Sequence, residues 1–355
     1  MNTHTDTHAD THLDAVARAL PKVLLHEHLD GSLRVATLLD LLHQRGITPP
    51  AADETSLAAW FNTNAHAGSL EKYLQGFALT VAAMASPAAL RRVAFEAAED
   101  ARADGAVLAE FRIAPLLFEA HGLSGEAAVE ALLEGLAQSP LATGLIVCGM
   151  RHLPPEETQR AARLALEYQG RGVVGFDLAG AELGHPPAEH AAAIGLVRDA
   201  GLALTLHAGE ADAAERVLEA ARLGATRIGH GVRLVDALPD GADPARRALV
   251  DEAIALGLHL EVCPTSTVHT GAAASIASHP ITALWQAGLS LSYHTDNRLI
   301  SCITHSSEAA ELLRHTALTR NDLLAMARQA AAHSFLPEAA RTAALARINA
   351  AAATR

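Results

Sequence analysis

"LPKVLLHEHLDGSLR", residues 20–34, decides how the chain reads. A short apolar run ends in two histidines one residue apart, His26 and His28, with Asp30 two positions further on. In a strand, side chains i and i+2 share a face, so both imidazoles point the same way. The run lacks the polar alternation of a half-exposed strand, which marks it as buried on both faces, as in a parallel sheet. Three polar groups therefore stand where a buried strand leaves the core.

Seven more runs of the same kind follow, at 107–113, 144–148, 173–177, 203–207, 227–230, 259–263 and 290–294. Each precedes an Ala-rich, helix-like stretch, and eight strand-then-helix units predict α/β architecture as a (β/α)8 TIM barrel. An open doubly wound sheet is disfavoured because no GxGxxG follows the first strand. The spacing between the first two strands is long, and helical patterns at 69–84 and 87–103 read as a lid insert above the mouth. Trp60 and Phe61 in this insert are lid contacts or ordinary packing. After His305 the chain reads as extra C-terminal helices that close the barrel, and "TRND" (319–322) is a capping box opening a helix over 323–332. Residues 1–15 are rich in Thr, Asp and His. They read as a disordered tail, although His4, His8 and His12 recur at chelating helical spacing. Residues 16–345 read as a single domain.

The 355 residues are 50% hydrophobic, ample for a large core, and carry a formal net charge of −13. Without a basic run, this charge repels nucleic acid and anionic membrane surfaces alike. No apolar run is long enough to span a bilayer, and the N-terminus lacks the pattern of a signal peptide. Cys148, Cys263 and Cys302 are few and widely spaced, which excludes a disulfide framework or a thiolate zinc site and suits a reducing cytoplasm.

The C-terminal strand ends of such a barrel converge on one mouth. They bring His26 and His28 together with His207 of "TLHAGE" and Asp296 of "SYHTDN". Three neutral imidazoles and a carboxylate form an N3O set that suits one Zn2+ and leaves a position for water. Lys22 and Lys72 are the only lysines, and neither lies on a central strand where a carboxylated lysine would bridge two metals. One ion is expected. Glu210, three residues past His207, reaches the mouth without ligating and suits a general acid. His230, between two glycines in "RIGHG", has room beside substrate to orient a water and take its proton.

With these residues in place, the chain resembles the adenosine deaminase family. "HEHLDGSLR", "VVGFDLAGAE", "HAGE", "RIGHG", "EVCPTSTVHTG" and "HTDNRLIS" match its motifs in order from Leu20 to the mid-330s. The resemblance implies hydrolytic loss of the 6-amino group from a purine nucleoside. Zinc would be held by His26, His28, His207 and Asp296. Glu210 would protonate the purine N1, and His230 would position the attacking hydroxide. Substrate contacts would come from His28, from the Gly180 amide toward N3, from Asp30 toward the ribose 5′-hydroxyl, and from Asn297 toward N7.

Three positions depart from the family pattern. Asn297 stands where a second aspartate is common, and its amide is already a donor where a carboxyl would need a proton. His294 and Thr267 each replace a common asparagine, with no role evident from sequence. Adenine deaminases and aminodeoxyfutalosine deaminases tend to carry glutamate where this chain has Asp30; the shorter side chain leaves room for a sugar and favours a nucleoside. An AMP deaminase would need basic residues near these motifs, and a silent nucleoside-binding protein would not need Glu210 and His230.

Overall fold

The computed structural model describes residues 4–65, 70–238 and 244–353. Eight parallel strands follow one another in chain order around a single sheet. They are β1 Lys22–Leu24, β2 Ala106–Ile113, β3 Thr143–Met150, β4 Val173–Ala179, β5 Ala203–Ala208, β6 Arg227–His230, β7 His259–Val262 and β8 Ser290–Tyr293. Outward-facing residues such as Val23, Val147 and Leu204 are buried under the helical ring. Each such side chain contributes about 1.5–3 kcal/mol relative to exposure.

The expected first strand, 23–28, is shorter than its apolar run. β1 ends at Leu24, and beyond it the chain pairs with the segment after β8. Glu27 and Asp296 form a parallel bridge. Asp296 N donates to His26 O at 3.0 Å, and His28 N donates to Asp296 O at 2.8 Å. The barrel is thus joined across its seam at the backbone of three candidate metal ligands.

The insert between β1 and β2 forms helices Val35–Gln44, Glu54–Ala65, Leu70–Met84 and Pro87–Ala103. Ser86 caps the last of these by accepting from Ala89 N, with Pro87 at its first turn. Helix Leu70–Met84 packs against the turn Leu29–Gly31, and Glu54–Ala65 packs against Arg298–Ser301, so the insert does sit over the mouth. Phe61 is buried and Trp60 meets it edge-on at 5.0 Å.

The capping box at Thr319 and Asp322 is present and opens helix Arg320–His333. Helix Glu338–Ala353 runs past the expected domain end at 345. At the other end the chain is helical from His4 to Ala19, over most of the segment expected to lack structure. Its anchor is local packing: Ala17 and Leu20 are buried, and Asp14 accepts from Arg314 at 2.8 Å. The side chains of His4 and His8 lie outside the described residues, and His12 is exposed.

Candidate active site

The barrel interior is not the aliphatic stack that an eight-stranded barrel commonly holds. Arg112 on β2 donates to Asp177 on β4 at 2.8 Å and to Glu261 on β7 at 2.5 Å. Arg227 on β6 donates to Glu261 at 2.6 Å and to Glu110 on β2 at 2.6 Å. All five are fully buried. Three carboxylates against two guanidiniums leave a negative surplus directly beneath the histidines.

Two of these carboxylates orient imidazoles. His26 Nδ1 lies 2.9 Å from Glu261, and His207 Nδ1 lies 2.9 Å from Asp177. In each ring Nδ1 is committed to a carboxylate, and Nε2 faces the mouth. There His28 Nε2 and His207 Nε2 stand 3.4 Å apart. Asp296 Oδ1 stands 3.4 Å from His26 Nε2 and 3.5 Å from His28 Nε2. Asp296 Oδ2 is held from behind by Ser266 Oγ at 2.6 Å. Asp296 adopts φ 57°, a left-handed conformation that costs a non-glycine residue about 1–3 kcal/mol and aims its carboxylate into the cluster.

These four atoms fit a metal ion. Ligands about 2.0–2.1 Å from a tetrahedral Zn2+ stand about 3.4 Å from one another, and three pairs here match that: His28–His207 at 3.4 Å, His26–Asp296 at 3.4 Å and His28–Asp296 at 3.5 Å. His26 Nε2 is buried and makes no hydrogen bond among the described residues, as a ligand nitrogen facing a metal would. Burial holds His26 and His28 below the usual imidazole range, so both are neutral and have a lone pair to give. His207 moves the other way: burial opposes its charge, but Asp177 outweighs it and favours a cation at that position. Cys263 also lies near His26, His230 and Asp296, and burial pushes its thiol well up.

Glu210 and His230 flank this set. His230, at φ 66°, presents Nε2 3.6 Å from Glu210 Oε2, and its ring centroid is 5.0 Å from that of His26. Glu210 Oε1 accepts from Thr270 Oγ1 at 3.1 Å. Asp30, on the turn after His28, is 5% exposed, and its Oδ1 has no hydrogen-bond partner among the described residues. Burial pushes its carboxyl up to about 7. Asn297 is buried against Gly31, where any Cβ would fall 2.0 Å from Asn297 Oδ1. Gly180, at φ 95°, directly follows β4, next to the strand of His207. The two unexplained positions do not enter this cluster. Thr267 Oγ1 donates to Cys263 O at 2.8 Å, and His294 Nδ1 accepts from Leu25 N at 3.2 Å across the barrel seam.

Sequence reading missed Glu27, Arg112, Asp177, Glu182 and Glu261. Glu27 faces away from its flanking histidines and pairs with Arg298 at 2.8 Å. For all but Glu182, which lies beyond β4, the shared signal is a charge inside a run buried on both faces, since a charge there persists only when paired.

Eight parallel strands with three imidazoles and a carboxylate gathered at their C-terminal ends define a (β/α)8 barrel of the enzyme type, with a candidate metal centre at its mouth. The adenosine deaminase family model matches residues 21–351. An adenosine deaminase of Mycobacterium tuberculosis is 43% identical over 333 residues, which is 90% of this chain and 91% of that one. Among solved structures, the adenine deaminase from Arthrobacter aurescens aligns with a TM-score of 0.84 at 22% identity, over 95% of this chain and 100% of the other. An amidohydrolase from Burkholderia ambifaria, with bound Zn, aligns with a TM-score of 0.82 at 24% identity, over 96% and 94% of the two chains. The chain belongs to the adenosine deaminase family.

Proposed function

We propose that the protein deaminates adenosine, and 2′-deoxyadenosine with it, by adding water and releasing inosine (or its deoxy form) and ammonia. The observation that carries this reading is the pairing of Glu210 with His230, 3.6 Å apart, beside candidate ligand atoms of His26, His28, His207 and Asp296 that approach one another at 3.4–3.5 Å in three pairs. One zinc ion held by His26, His28, His207 and Asp296 supplies Lewis acidity that makes a water nucleophilic near neutral pH.

The rest is done by this chain's own residues. Glu210 delivers a proton to the purine N1, which draws electrons from C6 and opens it to attack. His230 orients the water and takes its proton. The Gly180 amide donates to N3, the Asn297 amide to N7, and Asp30 accepts from the ribose 5′-hydroxyl. His28, beside Asp30, lines the same side of the substrate. The unpartnered Asp30 Oδ1 supports a hydroxyl-bearing ligand over a free base. Among the described residues no helix is long and apolar enough to cross a membrane. The three cysteines are free thiols, which supports placement in a reducing cytoplasm.

Ammonia release from adenosine, 2′-deoxyadenosine, adenine, AMP and aminodeoxyfutalosine, run in parallel with and without a chelator, tests this. Turnover of the two nucleosides that stops on chelation and returns with Zn2+ is expected. A preference for adenine or aminodeoxyfutalosine would overturn the substrate, and full activity after complete metal removal would overturn the mechanism.

A further inference from the structure

Four consecutive backbone amides converge on one side chain beyond the end of β4. Glu182 Oε1 accepts from Gly209 N. Its Oε2 accepts from Glu210 N at 3.0 Å, Ala211 N at 2.7 Å and Asp212 N at 3.0 Å. Glu182 is 6% exposed and, among the described residues, forms no ion pair. These amides occupy both of its oxygens, and the same loop is tied from the other side by Arg233 N, which donates to Gly209 O at 2.9 Å.

We propose that Glu182 is a positioning residue for Glu210, fixing the proton donor relative to the purine edge; this rests on the role given to Glu210 above. The amides it holds lie on both sides of the Glu210 α-carbon, so the carboxylate sets the backbone torsions that aim the Glu210 side chain. Other support for Glu210 is thin. Thr270 reaches its Oε1 at 3.1 Å, Arg233 Nε reaches its carbonyl at 3.2 Å, and the side chain is partly open to solvent.

Glu182 also follows Gly180 by two residues. One short segment therefore carries the amide assigned to N3 and the strap that holds the acid assigned to N1, and these are two atoms of the same ring. The spacing between the two recognition groups is set by the strap rather than by the intervening helix and strand. A carboxylate suits this task because it is acceptor-only. A glutamine of the same size would turn its NH2 toward backbone donors and leave some of them unpaired.

The Glu182→Gln variant, loaded with metal, is compared with the wild type in four measurements: metal stoichiometry, kcat and KM for adenosine, affinity for two nucleosides, and amide exchange over 209–212. The two nucleosides are inosine and an analogue with a protonated N1 and a tetrahedral, hydroxyl-bearing C6. Metal content, KM and inosine affinity within about threefold of wild type are expected, with kcat down about 10- to 100-fold, since small misplacements cost that much. Affinity for the tetrahedral analogue should fall with kcat, and exchange at Glu210 N should quicken. A loss spread equally over metal content, inosine binding and kcat would assign Glu182 a general structural role and overturn the proposal, as would wild-type kcat. If Glu182→Gln does not fold, Glu182→Asp takes its place. One methylene shorter, it cannot span all four amides, and wild-type kcat in that variant overturns the proposal too. A wild type that releases no ammonia from adenosine, with exchange still quickened in the variant, would refute the assigned substrate while leaving the strap in place.

Discussion

Glu261 Oε2 lies 2.9 Å from His26 Nδ1, and the same oxygen accepts from Arg112 at 2.5 Å. Arg112 also holds Asp177, which holds His207. One guanidinium thereby ties together the two carboxylates that orient two of the four candidate ligands. Burial would raise the Glu261 carboxyl, but Arg112 and Arg227 keep it well below the usual range, so it remains an acceptor. Glu261→Gln should therefore weaken metal binding about 10- to 100-fold, the usual cost of losing a group that orients a ligand. Competition with a chromogenic chelator measures this directly, and unchanged affinity would show that His26 is oriented without Glu261. Arg112→Met removes the shared partner and strips Asp177 of its guanidinium, while Glu261 keeps Arg227, at a cost of about 3–5 kcal/mol in urea unfolding.

The candidate ligands could be singled out because they occupy strand ends, where an imidazole or carboxylate interrupts an apolar run and i, i+2 spacing fixes its face. The layer beneath could not be. Glu110, Arg112, Asp177, Arg227 and Glu261 sit within such runs, and their partners lie on other strands, so pairing across the barrel depends on register. The N-terminal helix was misread for a related reason. Its composition is that of a solvated tail, but the contacts of Asp14 and Ala17 depend on the barrel presenting Arg314 and an apolar surface.

Gly31 has no room for a side chain, because a Cβ there would fall 2.0 Å from Asn297 Oδ1 and 2.7 Å from its Cγ. Gly31→Ala must push Asn297 away or shift the turn that carries Asp30. Both residues are assigned to substrate, so KM for adenosine should rise about tenfold or more with metal content intact. Titration of the purified variant with adenosine checks this, and an unchanged KM would remove Asn297 and Asp30 from the binding site.

The seam has a repair that a plain ladder would not need. His294 Nδ1 accepts from Leu25 N at 3.2 Å, while His294 Nε2 lies 2.7 Å from Ser292 Oγ. A side chain thus takes a backbone donor at the position where β1 and β8 come together. His294→Ala leaves Leu25 N without its acceptor in a buried setting, while Ser292 Oγ keeps His259 Nε2 at 2.8 Å, and opens a cavity. Destabilisation of about 2–4 kcal/mol is expected in urea unfolding. A loss below about 0.5 kcal/mol would mean that the seam is held by the Glu27–Asp296 bridge alone.

Glu308 sets a pH dependence of stability. It lies fully buried in the first turn of helix His305–His315, with Oε1 accepting from Thr265 N at 2.9 Å and Oε2 without a partner. Burial pushes its carboxyl up to about 8, although the Thr265 bonds pull the other way. In the unfolded chain the same group titrates near its ordinary value of 4.5. Between those two values the folded protein holds a proton that the unfolded chain has released, so unfolding is increasingly favoured as pH rises through the window. Stability is full below about 4.5, declines by up to about 1.4 kcal/mol per pH unit, and levels off above about 8. Glu308→Gln keeps an acceptor for Thr265 N and cannot ionise. Its Tm should match wild type at pH 5 and exceed it by several degrees at pH 8.5, as read by scanning calorimetry of the metal-loaded proteins. Equal Tm at both pH values would show that the Glu308 carboxylate ionises in the folded state at no cost.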